Sequence, residues 1–125
     1  MVGLWPLTKG DIINYSARKI GLFDVIDPLF EGDELLDAAK LEGFVAEKIK
    51  EGKRNLVFDI SSLDYLYSDS MNRFLSINRQ LLDVSGRFGL MGPTLEVRRI
   101  LERSGIHNFL KIYNSEDDLK QASED

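Results

Sequence analysis

The chain has 125 residues, 43% hydrophobic and 30% charged, which suits one folded domain over 1–125 and excludes a disordered or fibrous protein. Its 16 basic against 21 acidic side chains leave a net charge of −5, a balance that argues against nucleic acid as a partner. With no cysteine and one histidine, His107, disulfide scaffolds, thiolate zinc sites, cysteine nucleophiles and two-histidine metal centres are excluded.

No apolar run is long enough to span a bilayer, and residues 1–10 carry no basic start or long apolar stretch of the secretory kind. A cytoplasmic domain without membrane insertion is expected, with 1–10 as an N-terminal extension. Asp11–Ile20 and Phe23–Phe30 are predicted as two strands about a Gly21-Leu22 turn. Pro28 lacks a backbone donor and points to an edge or a bulge for the second of them. Between Leu36 and Lys50 the period changes, and Leu41, Phe44, Val45 and Ile49 form one helical stripe, stopped by Gly52. Asn55–Ile60 is a short apolar run typical of an interior strand. After a connection over Ser61–Tyr67, Met71, Phe74, Leu75, Asn78, Leu81 and Leu82 mark a second helix ending at Gly86. Phe74, Leu75, Leu81 and Leu82 are expected to face the interior strand. Phe88–Met91 is a further strand. Thr94 is a plausible N-cap for a third helix with Val97, Ile100, Leu101 and Ser104 as its stripe and Gly105 as its stop. Leu110–Tyr113 is a last strand and Ser115–Ala122 a short acidic helix. Strands alternating with helices after residue 35 predict an α/β domain with parallel strand pairs.

The densest polar cluster at a strand-to-helix junction is Tyr67-Ser68-Asp69-Ser70. Ligands of α/β sheets collect in crevices beyond the strand C-termini, and a helix start offers unpaired amides and partial positive charge. The plainer reading is that Ser68 or Asp69 caps the helix, although Met71 stands where a capping box needs Glu or Gln.

Several motifs accompany that cluster: Asp59-Ile60-Ser61, Gly86-Arg87-Phe88-Gly89-Leu90, Gly92-Pro93, Glu96-Val97-Arg98-Arg99-Ile100-Leu101, Ser104-Gly105 and Ile112-Tyr113-Asn114-Ser115. With them the chain resembles the STAS domain family, of the bacterial anti-sigma-factor antagonist type, without a gap over residues 55–122. Residues 1–54 match more loosely, through Gly32 and Leu36-Asp37. The resemblance implies a single STAS-like domain, a mixed β-sheet with about four helices packed mainly on one face. It implies a non-enzymatic interaction module without metal or cofactor, whose partner is an anti-sigma factor that is also a serine kinase. Switching members of the family carry Asp-Ser-Ser-Gly at the helix start, and the second serine is phosphorylated. Position by position, the Asp falls on Tyr67, the first Ser on Ser68, the phosphoacceptor on Asp69 and the Gly on Ser70. Only Ser68 is retained. Asp69 cannot form a phosphate ester, and its permanent charge of about −1 stands where phosphoserine would carry about −1.5 to −2. The expected partner-binding residues are Ser68, Asp69, Ser70, Met71 and Asn72; no kinase-driven switch is expected at residue 69, and a displaced acceptor at Ser68 or Ser70 is the alternative. The alternative implied function is an accessory subunit of a membrane transport complex.

Other residues offer less. Asp59 could suggest an aspartyl-phosphate receiver, but neither Ser16–Ile20 nor Ile112–Ser115 supplies the companion acids and lysine, so it reads as a strand-end residue bonding backbone amides. His107 reads as a surface histidine. Arg73, Arg79, Arg87, Arg98, Arg99 and Arg103 form either a solvated face or a surface for an acidic partner. Trp5, with Val2 and Leu4, either folds over the core or docks a partner.

Overall fold

Alternation within the strands decides the architecture. In β3 (Asn55–Asp59), Leu56 and Phe58 point to one side and Val57 to the other, and all three are completely buried, so the sheet is covered on both faces. The computed structural model describes residues 15–29 and 37–124. Around β3 lie β1 (Tyr15–Ile20), β2 (Phe23–Pro28), β4 (Arg87–Met91) and β5 (Lys111–Tyr113), in spatial order β1-β2-β3-β4-β5. The hairpin of β1 and β2 is antiparallel and every other pair is parallel. The sheet is therefore mixed, with the N-terminal strands at one side.

Three helices, α1 (Ala38–Lys50), α2 (Ser68–Asp83) and α3 (Leu95–Ser104), bring Leu41, Val45, Phe74, Ile77, Leu81, Val97 and Leu101 onto Ile26, Leu56, Phe58, Phe88 and Leu90. The C-terminal helix α4 (Glu116–Glu124) covers the other face, with Leu119 set against Ile20, Phe23, Val25, Val57, Met91 and Tyr113. Asp37 caps α1 by accepting from the amides of Ala39 and Lys40, each at 3.1 Å. Thr94 caps α3 through the Val97 amide at 3.2 Å, and Gly105 ends it in the left-handed region at φ 79°. Caps of this kind contribute roughly 0.5–2 kcal/mol each. A short 3₁₀ turn, Ile106–Asn108, follows.

Three expectations are corrected. Pro28 belongs to an interior strand, because β2 lies between β1 and β3. The ladder to β3 uses only Asp24 to Ile26, so Pro28, opposite Tyr15 alone, interrupts no parallel pairing. The buried stripe of α2 runs through Ser70, Phe74, Ile77 and Leu81, leaving Leu75 36% and Leu82 61% exposed. One position along a helix is a turn of about 100°, enough to carry a side chain from core to surface. Finally, α2 stops at Asp83, and the left-handed residue after it is Ser85 at φ 63°. Gly86 serves a different purpose, since a Cβ there would run into the Arg54 carbonyl. Within the described residues, the other strand and helix ends differ from the predicted ones by no more than two residues, and the predicted start of the first strand at Asp11 lies outside them. Expectations about residues 1–14, Phe30, Gly32 and Leu36, including Trp5, lie outside the described residues.

Candidate functional site

The connection from β3 to α2 is pinned at both ends and exposed in its middle. The Ile60 amide donates to the Met91 carbonyl at 2.9 Å, the Ser61 amide to Asp59 Oδ1 at 2.9 Å, and Leu63 and Leu66 are buried. Asp59 thus holds a backbone amide as expected, and it also meets the Arg18 guanidinium at 3.4 Å. Arg18 in turn pairs with Asp27 and with Glu116, each at 2.7 Å, which ties β1 to α4.

This pinned loop delivers Tyr67 as the N-cap of α2, extended at φ −96° and ψ 160°, with no side chain among the described residues closing the helix end. Its carbonyl accepts from the Met71 amide at 3.2 Å. Neither Ser68 nor Asp69 caps the helix: they are its first two residues, because the helix starts one residue earlier than a Ser68 cap would require. The amides of Ser68, Asp69 and Ser70 have no partner within the helix. Ser68, Asp69 and Asn72 are exposed and lie together on the outer side. Ser70 is turned inward at 5% exposure, and Met71 is half-buried against the main core.

One turn below Asp69, Arg73 reaches across to α1. Its guanidinium lies 2.8 Å from Glu42 Oε1, while Glu42 Oε2 accepts from Ser76 Oγ at 2.7 Å and from Gln80 Nε2. Partial burial of Glu42 opposes its ionisation, but the bonds from Ser76 and Arg73, the Arg73 charge and the Gln80 bond outweigh it and hold the carboxyl below its ordinary value. Arg73 is held more firmly charged by the Glu42 bond and charge, with smaller contributions from Asp69 and Asp37.

Sequence reasoning missed Tyr65. Its ring meets that of Tyr67 edge-to-face with centroids 4.8 Å apart, and both residues are 55% exposed. The signal was present in Leu63-Asp64-Tyr65-Leu66-Tyr67, where buried leucines flank two aromatic side chains just ahead of a helix.

The remaining candidates are dispersed. His107 is exposed on the 3₁₀ turn. Arg73 is taken by Glu42, Arg98 donates to Asn114, and Arg87 lies over the Phe23 ring at 5.7 Å, while Arg79, Arg99 and Arg103 are exposed. The arginines therefore do not form one basic face. Among the described residues, no group of three or more metal-ligating side chains converges. No helix among them is long and apolar enough to cross a membrane.

Residues 34–119 match the family model of the STAS domain. The chain belongs to the STAS domain family. Over 81 residues it is 31% identical to BtrV of Bordetella bronchiseptica, a proposed anti-sigma factor antagonist, spanning 65% of this chain and 70% of that protein. The crystal structure of the proposed anti-sigma factor antagonist TM1081 of Thermotoga maritima superposes with a TM-score of 0.77 at 17% identity, over 89% of this chain and 95% of that one. The anti-sigma factor antagonist SpoIIAA in its unphosphorylated form gives 0.69 at 18% identity, over 89% and 97%. At such identities the likeness to solved structures speaks for the fold: this STAS domain shares the five-stranded mixed sheet.

Proposed function

We propose that this STAS domain is a non-enzymatic interaction module, an anti-sigma-factor antagonist that binds an anti-sigma factor through the start of α2. The observation that carries the reading is the exposed Ser68-Asp69 turn at a helix end that no side chain among the described residues caps. The likeness to BtrV supports it. Asp69 occupies the position that the family resemblance assigns to a phosphoacceptor serine, and a carboxylate there is charged permanently. The domain therefore lacks a kinase-driven switch at residue 69 and engages its partner in one state. If a serine takes over the acceptor role, exposure favours Ser68, since Ser70 is enclosed.

Affinity capture from the producing cells with the full chain as bait tests the reading. Recovery of an anti-sigma factor with a serine-kinase domain is expected, and its capture should weaken with changes at Asp69 or Asn72. Recovery of a membrane transport ATPase would replace partner switching with the accessory-subunit function.

A further inference from the structure

We infer that Tyr65, Tyr67 and Asp69 together form a seat for a basic side chain, an arginine or a lysine, presented by the partner protein. The inference rests on the proposed interaction surface and names the chemistry that fits it. Two tyrosines at 55% exposure, held edge-to-face at 4.8 Å, present a paired ring surface to solvent. The buried neighbours Leu63 and Leu66 fix the loop, so little freedom is lost when these rings are covered. Tyrosine is enriched at the centres of interfaces for this reason.

Charge decides what the rings face. Asp64 adjoins Tyr65, Asp69 follows Tyr67 by two residues, and both carboxylates are exposed. Arg73, one turn along the helix, gives its guanidinium to Glu42, and the carboxylates whose charges act on it are Glu42, Asp69 and Asp37. The unpaired amides at the start of α2 bring about half a positive charge, less than the full negative charge of Asp69. An incoming anion would meet Asp64 and Asp69. A cation instead gains a ring face and a carboxylate together, a combination that suits the planar guanidinium best.

The test uses the full chain and a defined probe, N-acetyl-arginine amide, titrated while backbone amides and tyrosine ring protons are followed by NMR. N-acetyl-glutamine amide and N-acetyl-glutamate amide are the neutral and anionic controls. The arginine probe is expected to shift Tyr65, Tyr67 and Asp69 saturably, with its side-chain methylenes moved upfield by the rings. Tyr65→Leu, Tyr67→Leu and Asp69→Asn should each weaken it by about 2- to 5-fold, the range of an exposed cation–π contact for the rings and of an exposed ion pair for the carboxylate. Tyr67→Phe should retain it. All three positions are at the surface, and the amide spectrum of each variant verifies its fold. Equal response to the neutral probe would reduce the seat to an apolar anchor, response to the anionic probe would make it an anion site, and shifts elsewhere or none would remove it. Each overturns the inference. Because the probe needs no biological partner, these results stand apart from the capture experiment: a recovered anti-sigma factor with an arginine-blind corner refutes only the seat, and an arginine-binding corner with a transport ATPase refutes only the proposed function.

Discussion

Arg73 on α2 and Glu42 on α1 meet at 2.8 Å, and the same carboxylate also takes the Ser76 and Gln80 side chains, so one acid gathers three positions of α2. This clamp fixes the helix one turn below Asp69. Because the folded-state pKa of Glu42 lies below its ordinary value of 4.5, the folded protein binds fewer protons there than the unfolded chain. Stability from the clamp is present above that value and is lost as the pH falls through the depressed folded value. Both side chains are partly open to solvent, so screening keeps the contribution small. Denaturant unfolding of wild type and Glu42→Gln from pH 7 down to pH 3 should show a gap that closes below about pH 4.5. A gap unchanged with pH would deny the clamp its charge.

Two adjacent leucines should behave oppositely. Leu81 is completely buried against the sheet, and Leu81→Ala should cost roughly 2–5 kcal/mol. Leu82, 61% exposed, should tolerate alanine to within about 0.5 kcal/mol. Unfolding midpoints of the two variants check this, and comparable losses would mean that the helix is rotated from the position described.

Gly89 in β4 leaves room for the Tyr113 ring: a Cβ there would lie 2.8 Å from that ring and 3.0 Å from the Lys111 carbonyl oxygen. Gly89→Ala should destabilise by about 1–3 kcal/mol through overpacking. Adding Tyr113→Leu should recover part of the loss, because the two positions share one space. A strictly additive double variant would contradict that packing.

At the candidate site, Asp69→Ser and Asp69→Asn both remove the charge, so both should weaken the captured partner in the same direction and by similar factors. Only the serine creates a hydroxyl that a kinase could use. Calorimetric titration with and without ATP separates these effects: ATP should weaken binding of Asp69→Ser alone. An ATP effect on the wild type would place the switch elsewhere.

Much of this was legible in the sequence, for physical reasons. The run Leu56-Val57-Phe58 is typical of a strand buried on both faces, and the motifs from Asp59 to Ser115 carry the STAS fold. The face of α2 was read wrongly because apolar residues occur as neighbours, Phe74-Leu75 and Leu81-Leu82, which draw two stripes about 100° apart. Ile77 distinguishes them, since the stripe through Phe74, Ile77 and Leu81 is apolar throughout and the other passes through Asn78. Pro28 misled because its effect depends on how far the neighbouring strand extends, which local sequence does not encode. Tyr65 went unnoticed because a tyrosine in a loop gains meaning only from the ring beside it.

Phosphosite mapping by mass spectrometry after incubation with the captured kinase and ATP tests the role of Asp69 most directly. No phosphate is expected on residues 68–70 of the wild-type chain, and Asp69→Ser should acquire it at residue 69. Phosphate on Ser68 or Ser70 of the wild type, lost in the matching alanine variant, would contradict a domain held in one state by a permanent carboxylate.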